Sequence, residues 1–346
     1  MSSTVEQAVS ELSVPVPWGE IRGKVWGPDH GYPVLCLHGW LDNCGTFKTL
    51  IPLLPKECRY VAVDLAGHGL SSHLPLGVLY GVTTHMVHVR RIVEGLQWKK
   101  FSIMGHSMGG NVAGMVTKIH LMQLITVFTQ YTGTIFLLFL AWYHIWSKLC
   151  FLQFSALYPE MVDAVILLDS FGFISTDSKN LSKVMRQGMD EMLHHEKKTE
   201  EKKRVYTYEK AVERLSAANP TLSEQSVRIL LERGLVQVEG GFVFSRDLRL
   251  NFKNIPCISP EQSLEMQSKI QASVLVVLGD KGFAATFPES NQQLPSSKLL
   301  KAYRDRNHTV VTVSGDHHVH LNDPEAVAPL VSDFLRNKVL SQQLLA

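Results

Sequence analysis

Ile103-Met104-Gly105-His106-Ser107-Met108-Gly109-Gly110 reads as the end of an apolar strand, a tight turn and the start of a helix. Gly105-x-Ser107-x-Gly109 is the pattern of a nucleophile elbow. The turn is so sharp that a side chain larger than hydrogen two positions on either side of the serine would clash. Glycine supplies both the space and the dihedrals. The serine hydroxyl then projects from the sheet edge at a helix N-terminus, where backbone N–H groups can stabilise a developing oxyanion. Working outward, two earlier strands end in Leu37-His38-Gly39-Trp40 and in Asp64-Leu65-Ala66-Gly67-His68-Gly69. A G-x-S-x-G alone is weak evidence. One that follows an apolar strand, opens a helix and lies downstream of His38-Gly39-Trp40 is strong.

The same alternation continues along the chain. Val14–Trp26 reads as two short strands separated by Pro17-Trp18-Gly19, and Val34–Leu37 as a strand buried on both faces. Phe47–Leu54 reads as a helix stopped by Pro55, and Tyr60–Val63 as the next strand. Thr83–Leu96 has helical spacing, with Met86, Val89, Ile92, Val93 and Leu96 on one side. Phe101–Met104, Val165–Leu168, Val274–Leu278 and Val310–Val313 complete the predicted strands, and Pro324–Phe334 a terminal helix. Strands alternating with helices predict an α/β fold: a mostly parallel central sheet with helices on both faces.

Composition narrows the function classes. The chain has 346 residues, 45% hydrophobic and 19% charged, with a formal net charge of +2. That suits a globular protein with a sizeable core and argues against a nucleic-acid or anionic-membrane partner. The five cysteines are scattered, odd in number and without CxxC spacing. They read as free thiols of a reducing compartment rather than a disulfide framework. Met1–Pro17 has no basic flank and no apolar core, so a secretory signal is not expected. The predicted organisation is a core in two parts, 1–170 and 271–346, with 171–270 inserted between them. The inserted stretch reads as helical, polar and strand-poor, a helical cap over the carboxyl edge of the sheet, where α/β folds place their ligands. Its charge run, Glu196–Arg204, reads as a solvated face.

At this point the chain resembles the α/β-hydrolase superfamily, and within it the serine hydrolase-like proteins of animals. The carrying residues are Pro17-Trp18-Gly19, His38-Gly39-Trp40-Leu41-Asp42-Asn43, Asp64-x-x-Gly67-His68-Gly69, Gly105-His106-Ser107-Met108-Gly109-Gly110, Tyr158-Pro159-Glu160-Met161-Val162-Asp163 and His317-His318-Val319-His320. The match covers nearly the whole chain apart from one segment. It implies the α/β-hydrolase fold and leaves the substrate open, because the superfamily spans esterases, lipases, amidases, epoxide hydrolases, dehalogenases and lyases.

The resemblance assigns roles residue by residue. Ser107 is the expected nucleophile, and a serine hydroxyl needs an adjacent base. His317 is the expected base, because His317-x-x-His320-x-x-x-Pro324 is similar to the family's catalytic histidine loop; His318 and His320 remain alternatives in register. A metal is not implied by the histidines, since no acidic or cysteine partner stands at ligand spacing nearby in the sequence. In relatives the acid closes a Gly-x-x-Asp loop, but here that loop is Gly279-Asp280-Lys281-Gly282, with glycine at the carboxylate position. Asp169, at the end of the strand after the nucleophile helix, is preferred; Asp280 is the alternative, and a third reading has no acid at all. The order Ser107, Asp169, His317 matches the fold's usual order. Met108 and Trp40 are the expected oxyanion donors through their backbone N–H groups. Asp64 and His68 are expected to brace their loop. Trp40, Phe171 and Phe173 are the expected substrate walls, and an apolar wall favours an acyl substrate.

One segment does not fit. Without Val116–Gln153, Met115 would join Phe154 and the helix after Ser107 would run unbroken to Pro159. From Ile119 to Ser147 there is no Lys, Arg, Asp or Glu. The stretch is long enough for a membrane span. A single span would leave Ser107 and His317 on opposite sides of the bilayer, and a hairpin breaking near Gly133 would leave arms too short to cross comfortably. Three readings stay open: an extra translated piece from an alternative transcript, a membrane-contacting element at 119–147, or a buried core element. The first predicts that deleting 116–153 raises soluble yield, and equal or lower yield would count against it.

The expected activity is cleavage of an ester-type acyl bond in a small molecule, by a Ser-His-acid mechanism with no metal or organic cofactor. The rivals are a catalytically silent protein that keeps the fold for binding, and a membrane-tethered hydrolase. The expected location is cytoplasmic and not secreted, and the resemblance admits a peroxisomal or perinuclear site.

Overall fold

The computed structural model describes residues 9–113, 154–172, 181–197, 204–253, 259–286 and 295–343. Among these residues eight strands form one sheet: β1 Val9–Val16, β2 Gly19–Trp26, β3 Tyr32–Leu37, β4 Cys58–Val63, β5 Phe101–His106, β6 Val162–Leu168, β9 Ser273–Lys281 and β10 Thr309–Asp316. Their order is β1-β2-β4-β3-β5-β6-β9-β10. The hairpin β1–β2 joins β4 antiparallel, and every pairing from β4 to β10 is parallel.

The apolar runs explain this layout. In a strand, neighbouring side chains point to opposite faces. Leu35 and Leu37 accordingly enter one core cluster with Val61, Val63, Ile103 and Val165. Val34 and Cys36 enter another, with Tyr60, Ala62, Met104 and Ile166. Both faces must therefore be covered. The helix Val82–Gly95 covers the first, with Val89, Ile92 and Val93 fully buried. The helix Ala328–Leu335 covers the second through Val331 and Leu335. The helix after Ser107 is described as Met108–Ala113, and the chain returns at Phe154–Leu157. Phe154 is fully buried against Phe101 and Tyr158, ring centroids 5.8 and 4.7 Å away. The 116–153 segment, including 119–147, lies outside the described residues. Among the described residues no helix is long and apolar enough to cross a membrane. Cys36, Cys44 and Cys58 are buried free thiols.

Two local readings change. Phe47–Leu54 forms not one α-helix but two tight 3-10 turns, Cys44–Phe47 and Ile51–Leu53. Pro52 has no N–H to bond back along a helix, and its ring would meet the carbonyl one turn earlier. The stretch 171–270 also contains a hairpin, β7 Leu235–Val238 and β8 Gly241–Phe244. Its signal was present in the sequence as Val236-Gln237-Val238-Glu239-Gly240-Gly241-Phe242-Val243, alternating residues around a glycine pair.

The helices Tyr208–Ala218 and Glu224–Gly234 pack on each other, and the second also packs on the turn Cys44–Phe47. Asn43 Nδ2 donates to the Leu230 carbonyl at 2.8 Å. Arg233 Nε donates to the fully buried Asp64 carboxylate at 2.9 Å and reaches Glu11 through Nη1 at 2.8 Å. A separate apolar cluster, Val227, Leu230, Leu231 and Leu321, joins this helix to the loop after β10. The segment is thus tied to the carboxyl ends of β3, β4 and β10.

Candidate active site

Ser107 sits between the end of β5 and the helix Met108–Ala113 with φ +50°, a left-handed conformation that costs a non-glycine residue about 1–2 kcal/mol. The surroundings hold it there. Its N–H donates to the Leu168 carbonyl at 3.0 Å, and its carbonyl accepts from Ser170 Oγ at 2.9 Å. A Cβ on Gly109 would lie 2.0 Å from the Leu37 carbonyl oxygen, and one on Gly105 2.4 Å from the Gly110 nitrogen. The close approach of these backbones is what the two glycines permit.

His317 follows β10 and reaches the serine. Its Nε2 lies 3.0 Å from Ser107 Oγ, and its Nδ1 lies 2.5 Å from Asp169 Oδ2. An ionised carboxylate only accepts, so Nδ1 carries the hydrogen and Nε2 presents a lone pair to the hydroxyl. Asp169 is buried, and its carboxylate also accepts the N–H of Gly279 at 3.0 Å and of Phe283 at 2.6 Å. It therefore spans the loops after β6, β9 and β10. His318 and His320, the alternatives in register, point elsewhere: His318 Nε2 lies 3.4 Å from Asp42, and His320 Nε2 lies 2.9 Å from Thr46 Oγ1.

The unexpected glycine has a physical reason. A Cβ at Gly282 would fall 2.3 Å from Asp169 Oδ1 and 2.5 Å from Oδ2. The Asp169 carboxylate occupies the space a side chain at 282 would need. Asp280 is exposed and accepts the Gly315 N–H at 2.9 Å, a contact that holds its carboxyl below the usual carboxylate range.

Met108 opens its helix, so its N–H has no partner one turn back. Trp40 lies in the turn closed by the Asp42 N–H on the Gly39 carbonyl, at 3.3 Å, and its side chain is 40% exposed. Phe171 is buried, with its ring 5.8 Å from Phe283, whose ring in turn lies 5.9 Å from His317. Phe173 lies outside the described residues. Phe283 was not singled out from the sequence; nothing in its local pattern signals that it lies against His317. Asp64 accepts from the N–H of Cys44 and Leu70, both at 2.8–2.9 Å, as a loop brace would.

A second histidine group adjoins the first. His106 is fully enclosed, donates from Nε2 to the His317 carbonyl at 2.8 Å, and its ring lies tilted against that of His320 with centroids 4.1 Å apart. Asp42, absent from every spacing-based reading, approaches it from the turn after β3: Asp42 Oδ2 lies 3.7 Å from His106 Nδ1 and 3.4 Å from His318 Nε2. Sequence spacing had offered these histidines no acidic partner; the fold supplies one from a distant turn. Burial pushes His106 down to about 4. Burial works against both Asp42 and His318, but their mutual attraction outweighs it, lowering the carboxyl and raising the imidazole.

Comparison with known proteins agrees with this architecture. A family model described as alpha/beta hydrolase fold matches residues 32–124. A serine hydrolase-like protein of Danio rerio is 48% identical over 97% of this chain and 91% of its own length. Serine hydrolase-like protein 2 of Homo sapiens is 36% identical over 95% of this chain and 94% of its own length. The crystal structure of a hypothetical protein from Pseudomonas aeruginosa PAO1 superposes with a TM-score of 0.72 at 25% identity, covering 93% of this chain and 96% of that one.

Proposed function

We infer the reaction from one premise: the chain belongs to the serine hydrolase-like family of the α/β-hydrolase fold. That membership supports hydrolysis as the reaction class. The bond cleaved and the residues that cleave it are our proposal: an ester-type acyl bond of a small molecule, opened through an acyl-enzyme on Ser107.

The observation that carries the reading is the pair of contacts at His317, 3.0 Å to Ser107 Oγ and 2.5 Å to Asp169. As Ser107 Oγ attacks the carbonyl carbon, His317 Nε2 takes the hydroxyl proton. Asp169 keeps the imidazole in the required tautomer and stabilises the imidazolium that forms. The N–H groups of Met108 and Trp40 are the donors for the oxyanion. His317 then returns the proton to the departing alkoxide oxygen. Water repeats the sequence against the acyl group and frees the serine. Trp40 and Phe171 offer the apolar walls of an acyl site, and we assign 171–270 as the cap that covers it. The silent-protein rival draws on Gly282 and on the interruption of the nucleophile helix; the Asp169 carboxylate in the space beside Gly282 speaks against the first ground and leaves the second.

Labelling with a fluorophosphonate probe tests the reading. The wild type should label, and Ser107→Ala and His317→Ala should not. Absence of labelling in well-folded wild type would sink it.

A further inference from the structure

We propose that Asp42, His106 and His318 form a binding site for a first-row transition-metal dication, with zinc(II) the best fit, beside but separate from the Ser107 contacts. One donor atom from each residue lies within 4.8 Å of the other two. Asp42 Oδ2 is 3.7 Å from His106 Nδ1 and 3.4 Å from His318 Nε2. Those separations are too long for good hydrogen bonds. Zinc bonds of about 2.0–2.1 Å in a tetrahedron put neighbouring donors about 3.3–3.4 Å apart, close to the two distances from Asp42, and the two imidazole nitrogens, within 4.8 Å of each other, would draw together around the ion. Two imidazoles and a carboxylate are the donors zinc takes where a fourth position is left to water.

Two of the three donors are also unsatisfied. Among the described residues, Asp42 Oδ2 and His106 Nδ1 are buried without a hydrogen-bond partner. His106 Nε2 donates to the His317 carbonyl at 2.8 Å, which leaves Nδ1 as the lone-pair atom of the neutral ring. A lone pair thus faces a carboxylate oxygen, an arrangement a cation relieves. A carbonyl on the far nitrogen is also the usual outer-shell support of a metal-bound histidine. Space is provided by Gly39: a Cβ there would lie 2.9 Å from His106 Nδ1 and 3.3 Å from Asp42 Oδ2. The three ligands come from the turn after β3, the end of β5 and the loop after β10, so a bound ion ties together three loops that surround Ser107.

The test uses the full chain, stripped with chelator and dialysed against zinc(II) alone, with metal counted by elemental analysis. One equivalent per chain is expected in wild type and in Ser107→Ala, with a melting temperature raised by a few degrees at large excess over Kd. Binding should weaken at least tenfold in Asp42→Asn, in His318→Gln and in Gly39→Ala, the last of which removes no donor. No saturable uptake by wild type, or uptake unchanged in Asp42→Asn and His318→Gln, would overturn the site and leave an ordinary ion pair between those residues. Should a variant not fold, X-ray absorption of the zinc-loaded wild type decides the matter. Two imidazoles in the coordination shell are expected; a shell without imidazole overturns the proposal.

Discussion

The loops that follow β6 and β9 lie side by side at the carboxyl end of the sheet, and they divide one task unequally. The first carries Asp169, buried, held by two backbone N–H groups and in contact with His317. The second carries Asp280, exposed and turned to Gly315, and Gly282, whose absent side chain is the room Asp169 uses. The two loops compete for one space: a side chain at 282 and the carboxylate of 169 would overlap.

The largest expected effect breaks the first loop. Asp169→Asn removes tautomer control and should slow fluorophosphonate labelling about 10³–10⁴-fold with Ser107 still in place. Filling the second loop is the next test. Gly282→Ala puts a methyl against the Asp169 carboxylate, and displacing it by about 1 Å should cost roughly 100-fold in labelling rate. Moving the carboxylate sharpens the comparison most directly: Asp169→Gly combined with Gly282→Asp should label faster than Asp169→Asn. An equally slow double variant would mean that the second loop cannot take over the role.

Acid approaches the site from its other side. Burial holds His106 and His88 near 4 and His85 near 3, whereas unfolded histidine titrates near 6.5. Below pH 6.5 the unfolded chain therefore binds more protons, so stability should fall with pH towards 4. Each such group contributes about 1.4 kcal/mol per pH unit in that window. His318, raised by Asp42, acts in the opposite sense. Melting temperatures across pH 4–7 check the sign; a flat profile would show that these rings are not kept neutral. The smallest effect is expected at Asp280→Asn, which keeps an acceptor for the Gly315 N–H and should leave the labelling rate unchanged.

How much of this was legible in the sequence follows from distance along the chain. The core strands were readable because residues buried on both faces leave an unbroken apolar run, as in Val34–Leu37 and Val165–Leu168. The serine turn was readable because its constraint is local, two glycines within two residues of Ser107. Asp169 was readable only as a strand end, since nothing near it in sequence shows that Gly282 makes way for it. Asp42 is legible only as part of a motif, without its histidine contacts, and Phe283 not at all. Their partners lie at other strand ends, and only the sheet order brings them together. At Pro52 two local signals conflict: the apolar spacing of 47–54 fits a helix, and the missing N–H decides against it.

The strand order also sets when reactivity can begin. Ser107 emerges from synthesis early and Asp169 soon after, but His317 follows β10, the last strand and an edge of the sheet. Until β10 docks on β9, His317 is not held beside Ser107. On the proposed mechanism a growing chain would thus carry a dormant nucleophile, armed by the docking of one edge strand.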